Sequence, residues 1–373
     1  MGNRTHGSTA DGSVRRLPTV RRYARPLLRT TRSSGAQALG SHVTGRGETL
    51  LVAWVVADGQ TLSEHTERLG GRSDMTNVDV HQHLWTPSLV TALRARREPP
   101  FLDGWTLFLD GEPPFEIPPA DHDIARRADL AAADGLGRVL VSLSAPIGVE
   151  WLPAAEARPL LDAYHDGAAS LPEPFGAWAA ACVRDIDAEA TAKDLDRGFV
   201  GLQLPANSLA DAAGYARCAP LLDLLEERDL PLFVHPGPAP GSSADPAWWP
   251  AMVPYVQQMH AGWHAFRAFG RPRHPRLRVC FALLAGLAPL HGERFTARSG
   301  HQQPTDPGTF VETSSYGPTA VAAIVRALGV DAVVQGSDRP YAEPPRYPGY
   351  GLGGAAAYAF RIANPRRLLT GEG

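Results

Sequence analysis

Short apolar runs recur along the chain, separated by stretches with helical spacing. The runs are 77–81 (NVDVH), 138–144 (RVLVSLS), 177–183 (AWAAACV), 199–204 (FVGLQL), 231–235 (PLFVH), 277–283 (LRVCFAL), 308–313 (GTFVET) and 331–336 (DAVVQG). They are short and mostly apolar, as strands are when a parallel sheet is covered by helices. Helices are predicted over 123–135, 219–229 and 318–329. In the last of these, Val321, Ile324, Val325 and Leu328 line one side. Eight strands alternating with helices predict a closed (β/α)8 TIM barrel. An open doubly wound sheet is the competing arrangement. No GxGxxG follows an early strand, so its dinucleotide-binding version has no support. Two connections exceed a simple helix, 84–120 after strand 1 and 236–275 after strand 5. In a barrel the loops after strands form the active-site face, so these insertions would wall the pocket.

The pattern begins near residue 75. Residues 1–74 hold 11 arginines against 6 acidic residues and show no sustained period in their first 50 positions. This segment reads as a disordered arm or as an extension ahead of a natural start at Met75; an organellar transit peptide also suits its composition. Residues 75–373 form the barrel in this reading.

Charge adds little for the whole chain, since 36 basic residues stand against 39 acidic ones. That balance gives no case for a nucleic-acid partner. Lys193 is the sole lysine, a bias that looks like GC-rich coding. Cys182, Cys218 and Cys280 are odd in number and form no CxxC pair, which points to a reducing, cytoplasmic setting. The longest clean apolar run is 51–57 (LVAWVVA), well short of the roughly 18–20 residues a membrane span needs.

The sharpest chemical signal is VDVHQHLW, 78–85. Side chains alternate along a strand, so His81 and His83 share a face and can chelate one divalent ion; Asp79 has the same parity. His235 closes an otherwise apolar strand and is followed at once by Pro236 and Gly237. Asp338 lies just past the last strand. The first and eighth strands of a closed barrel are neighbours, so these groups can converge on one rim. Three imidazoles and a carboxylate suit zinc, with manganese or iron also accepted by ligand type.

On these residues the segment 77–370 resembles the amidohydrolase superfamily, in the branch of aminocarboxymuconate-semialdehyde decarboxylase. The resemblance implies a distorted barrel with His81, His83, His235 and Asp338 holding one divalent ion, usually zinc. The ending RIANPRRLLTG, 361–371, resembles that family's closing helix. One departure matters: where the family reads close to FAHGGG after strand six, this chain reads CFALLAGLAP, 280–289, with Leu283 in place of histidine. Leucine has no proton to give or take.

His291, following the same strand, is a candidate to reach back over the metal and share catalysis with Asp338. Glu312 is expected to order the metal shell, and Arg339 either to grip a substrate carboxylate or to tie down a loop. His165, His264 and Trp85 are further candidates for lining or supporting the site. The resemblance to that superfamily favours hydrolysis of an amide, lactone or cyclic carbonyl by metal-activated water. The alternatives are non-oxidative decarboxylation of a small aromatic or unsaturated acid, and a metal-retaining barrel that binds a small molecule without catalysis. The aromatic-rich insertions suit a small organic substrate, and a homodimer is compatible with the fold.

Overall fold

The computed structural model describes residues 76–372, except 111–113, 240, 242–244, 303, 305 and 345–347. Eight parallel strands form its centre: β1 (Val78–Gln82), β2 (Arg138–Val141), β3 (Phe175–Ala177, continued after Trp178 by Ala179–Ala180), β4 (Leu202–Pro205), β5 (Leu232–His235), β6 (Val279–Phe281), β7 (Thr309–Glu312) and β8 (Val333–Val334). β1 pairs with β2 and β2 with β3; a continuous ladder then runs from the second half of β3 through β8. The two sheets join at Trp178, whose N–H donates to the Val141 carbonyl at 2.9 Å. The other seam closes where Val80 N–H donates to Gln335 O at 2.9 Å and His83 N–H to Arg339 O at 2.8 Å. The ring is therefore complete, and the predicted distorted (β/α)8 barrel is the fold.

Apolar strand composition explains this closure, because β1, β4, β5, β6 and β7 are buried along their whole length. Inside the barrel, Trp178 stacks on Phe233 with centroids 5.2 Å apart, and its indole N–H donates to Val80 O. Outside lie α1 (Pro87–Ala95), α2 (Ile124–Ala133), α3 (Ala154–Ala169), α4 (Ala188–Leu195), α5 (Ala212–Glu227), α6 (Pro254–Ala265), α7 (Gly292–Ser299) and α8 (Pro318–Leu328). Asp123, Asp187 and Asp211 begin α2, α4 and α5 by accepting an otherwise unpaired N–H of the first turn. On α8, Val321 and Ile324 are buried, whereas Val325 and Leu328 are only partly covered.

The insertion after β1 folds into α1 and a small antiparallel ribbon, Phe101–Asp103, Thr106–Phe108 and Phe115–Glu116. The insertion after β5 carries α6. The reading of 1–74 as an arm lies outside the described residues. None of the described helices is long and apolar enough to cross a membrane.

Candidate metal centre

The rim after the strands gathers His81 from β1, His83 from just beyond it, His235 from the end of β5, and Asp338 from just beyond β8. One ligand atom from each of the four lies within 4.8 Å of the others. The three imidazole centroids are 4.8–5.1 Å apart. All three histidines are buried, and Asp338 alone keeps some exposure, 15% of its side chain.

Hydrogen bonds fix which nitrogen of each ring faces the centre. His83 donates from Nδ1 to Ser142 O at 3.0 Å, and His235 from Nδ1 to Pro236 O at 2.8 Å. His81 donates from Nδ1 to Glu312 Oε1 at 3.1 Å. Each Nε2 is thus left with a lone pair, and those of His81 and His83 face one another at 3.1 Å. Asp338 Oδ1 adds its own lone pairs 3.1 Å from His83 Nε2 and 3.5 Å from His81 Nε2. Converging lone pairs repel unless a cation lies among them. The donor set therefore fits a divalent ion, and its imidazole and carboxylate character admits zinc, manganese or iron.

Electrostatics favour the neutral, ligating form at two of the three rings. Burial holds His83 and His235 below the ordinary imidazole range, and neighbouring histidines press in the same direction. Burial also acts to lower His81, but Glu312 and Asp338 outweigh it and leave this histidine raised.

Glu312 is the main support behind the ligands. Oε1 accepts from His81 Nδ1, from Leu283 N–H at 2.8 Å and from Ser314 Oγ at 2.5 Å; Oε2 accepts from Ser314 N–H at 2.6 Å. Such a carboxylate–histidine pair sets ring orientation and raises ligand basicity. The polar stretch after β7 thereby acquires a purpose. Gly336 lets β8 come this close, because a Cβ there would meet Glu312 Oε2 at 2.2 Å and His81 Cβ at 2.9 Å.

Asp338 has φ +62°, an αL conformation that Asp tolerates better than most residues. Its N–H donates to His81 O at 2.8 Å, which locks the turn that aims the carboxylate inward. Asp79 has the parity expected of it but joins the frame instead of the ligands. Its carboxylate accepts from His81 N–H, Gln82 Nε2 and Ser337 N–H, stapling β1 to the end of β8.

Other expected residues sit elsewhere. Arg339 does not offer its fork to a ligand: it pairs with Asp134 at 2.9 Å and Glu343 at 2.8 Å, so it ties down a loop. His165 lies on α3, where Nε2 accepts from Ala180 N–H and Nδ1 stands 3.3 Å from Asp194; it joins helices to strand and does not line the centre. Trp85 stands one layer back, donating to Ser144 Oγ and stacking on His122 at 5.2 Å.

His291 corrects the expectation of a residue folded back over the metal. Residues 283–287 form a left-handed turn, with φ between 47° and 60°, that leads the chain towards α6. His291 emerges exposed, its ring 4.8 Å from that of His260, and His264 belongs to the same group. Sequence reading also missed two contributors. Arg127, buried on α2, donates to His83 O, Gln82 Oε1 and Arg339 O and braces both strand ends. Tyr341 places its ring 5.4 Å from His83 and remains half-exposed at the mouth. Neither carries a spacing signal, since each acts through a fold-dependent contact.

The family model described as Amidohydrolase matches residues 78–369, and the chain belongs to that family. No curated protein matches it. Among solved structures, it is similar to Metarhizium anisopliae IDCase in apo form (16% identity, TM-score 0.63, covering 79% of this chain and 97% of the other). It is also similar to 2,6-dihydroxybenzoate decarboxylase from Rhizobium (18%, 0.58, 80% and 100%). A third is 5-carboxyvanillate decarboxylase from Novosphingobium aromaticivorans, solved with bound manganese and 3-methoxy-4-hydroxy-5-nitrobenzoic acid (19%, 0.61, 80% and 98%). At these identities the likeness establishes the fold.

Proposed function

We propose that the protein is a metal-dependent non-oxidative decarboxylase acting on a small aromatic acid. The observation that carries this reading is that, among the described residues, Asp338 is the carboxylate grouped with the three histidines, while the position after β6 holds Leu283. Glu312 is already committed to His81, Leu283 and Ser314. Metal-assisted hydrolysis must take a proton from water and give one to the leaving group, which two groups do more readily than one. Decarboxylation needs a single proton, which Asp338 first takes from solvent or from the incoming acid: the bond to the carboxylate then breaks, carbon dioxide leaves, and the electron pair on the ring carbon takes that proton from Asp338.

The four ligands would hold the ion, whose positive charge would attract an acid substrate and stabilise its developing anion. Manganese is our first choice, on the evidence of the carboxyvanillate enzyme. Tyr341, half-exposed beside His83, is placed to meet the aromatic ring. The likeness to decarboxylases of hydroxylated benzoates supports the substrate class.

The test is carbon dioxide release by the manganese-loaded chain from hydroxybenzoates and carboxyvanillate, with lactones and anilides assayed in parallel. We expect release from at least one acid, reduced about 100-fold or more in Asp338→Asn. Hydrolysis without carbon dioxide release would overturn the reading in favour of a hydrolase. Metal binding without either activity across a broad panel would identify a non-catalytic barrel.

A further inference from the structure

Three consecutive residues beyond β2 support the metal centre from one side. Ser142 O accepts from His83 Nδ1 at 3.0 Å. Ser144 Oγ accepts from Trp85 Nε1 at 3.0 Å and meets Tyr341 Oη at 3.4 Å. Between them, Leu143 O accepts from Gln203 Nε2 of β4 at 2.8 Å. Gln203 is fully buried and pairs in register with Phe233, whose ring lies 5.0 Å from that of His81. Its amide therefore belongs to the layer of the barrel interior next to the ligands. We propose that Gln203 is a positioning residue for His83, acting through the segment 142–144, and that Glu150 is the acid partner that holds the Gln203 amide in place.

Gln203 Nε2 lies between two oxygens, Leu143 O and Glu150 Oε1, the latter at 3.3 Å. An amide oxygen in that place would meet two acceptors, so the orientation of the side chain is fixed. The two atoms left over, Gln203 Oε1 and Glu150 Oε2, are buried and have no hydrogen-bond partner. An acid and an amide already joined by one N–H···O bond close a ring when the acid O–H donates to the amide oxygen. That second bond would satisfy both atoms, which are costly to leave unpaired. Burial pushes the Glu150 carboxyl up to about 8, so it carries the required proton at neutral pH. No charged side chain acts on it among the described residues. Tyr164 on α3 is the titratable group facing it; burial raises that phenol too, and its hydroxyl donates to Trp178 O at 2.7 Å. Val183 N–H donates to the Glu150 backbone carbonyl at 2.8 Å and fixes where the acid enters the barrel.

Without the Gln203 amide, Leu143 O is released, and Ser142 O moves with it because the two carbonyls share one short segment. His83 then loses the acceptor that keeps its proton on Nδ1 and the lone pair on Nε2. Ionised Glu150 reaches the same result by another route. Its Oε2 turns from donor to acceptor and is set against the amide oxygen. Glutamine at position 150 reproduces the neutral acid, since its NH2 can donate to Gln203 Oε1 while its oxygen accepts from Nε2. The role belongs to the metal centre and not to the reaction it performs, so a failed carbon dioxide assay leaves it intact.

Imidazole nitrogen NMR of the metal-free chain reads the His83 tautomer, its signal identified by its absence from His83→Ala. At pH 7, wild type and Glu150→Gln are expected to hold the proton on Nδ1, whereas Gln203→Met shows both tautomers. Competition for Mn²⁺ against a chromogenic chelator is expected to give Gln203→Met about tenfold weaker affinity, with Glu150→Gln unchanged. Asp306→Asn is the control for stability alone. It disturbs contacts to Arg271 and Thr309 at the start of β7, away from the rim, and should leave both readings as in wild type. As pH rises from 7 to 9, wild type loses the single tautomer and Glu150→Gln keeps it. A folded Gln203→Met chain with wild-type tautomer and affinity would overturn the role of Gln203, and so would equal losses in Asp306→Asn. Matching pH responses in wild type and Glu150→Gln would overturn the role of Glu150, and that comparison decides the relay if Gln203→Met does not fold.

Discussion

Replacing Glu312 by glutamine tests whether the metal centre depends on the carboxylate behind it. In the native protein two oxygens receive four donors, from His81 Nδ1, Leu283 N, Ser314 Oγ and Ser314 N. An amide of the same size has one acceptor oxygen and one donor nitrogen. If the oxygen stays with His81, Leu283 and Ser314 Oγ, the new NH2 faces Ser314 N–H, and a buried donor loses its acceptor. That loss costs about 1–3 kcal/mol of stability. His81 also loses the negative charge that makes its Nε2 a better ligand. Substitution of such outer partners lowers metal affinity about 10–100-fold, equivalent to roughly 1.4–2.7 kcal/mol. The assay is competition for Mn²⁺ or Zn²⁺ between the protein and a chromogenic chelator, with circular dichroism as the control for folding. Wild-type affinity in a folded Glu312→Gln chain would refute the argument, leaving Glu312 as an anchor for the turn at Leu283 and nothing more.

Three further outcomes follow from other parts of the structure. Gly336→Ala should lower stability by about 1–3 kcal/mol and weaken metal binding, because the new methyl group would press on Glu312 and His81; an unchanged melting temperature and affinity would exclude that close approach. His81→Ala/His83→Ala should abolish the rise in melting temperature that excess Mn²⁺ gives wild type, a rise worth about 4 kcal/mol at 1,000 times the dissociation constant, and calorimetry with and without metal measures it. Burial pushes the Glu150 carboxyl up to about 8, so its contribution to stability is complete below its ordinary value of 4.5 and is lost as pH rises through about 8. Glu150→Gln should therefore gain on wild type as pH rises from 5 to 8.5, and parallel melting curves for the two proteins would contradict the burial argument.

Much of the barrel was legible in the sequence because a strand covered on both faces must be short and apolar, and all eight runs overlap the observed strands. The metal ligands were legible for a related reason. Histidine or aspartate at the end of an apolar strand has no packing role there, and the alternation of side chains puts His81 and His83 on one face. The resemblance to the amidohydrolase family gave the same four residues, and the family match agrees with it. Glu312 was reachable too, since ETSSYG is polar where a core strand should be apolar.

Backbone path and pairing geometry decided the rest. His291 follows the end of β6 by ten residues, but the left-handed turn from Leu283 to Leu287 sends it to α6 instead of the rim. No hydrophobic period encodes that turn: apart from Gly286, its residues are leucine and alanine, types that normally avoid positive φ. Arg339 had the chemistry to hold a substrate acid, yet Asp134, 205 positions away, occupies its guanidinium. Asp79 and His81 share parity, but one staples the frame and the other ligates, because the end of β8 arrives between them. Sequence determined which residues had chemistry to offer and which strand ends could bring them together. Only the closed barrel decided which lone pairs remained unspent, since long-range hydrogen bonds commit a side chain to partners that local pattern cannot name.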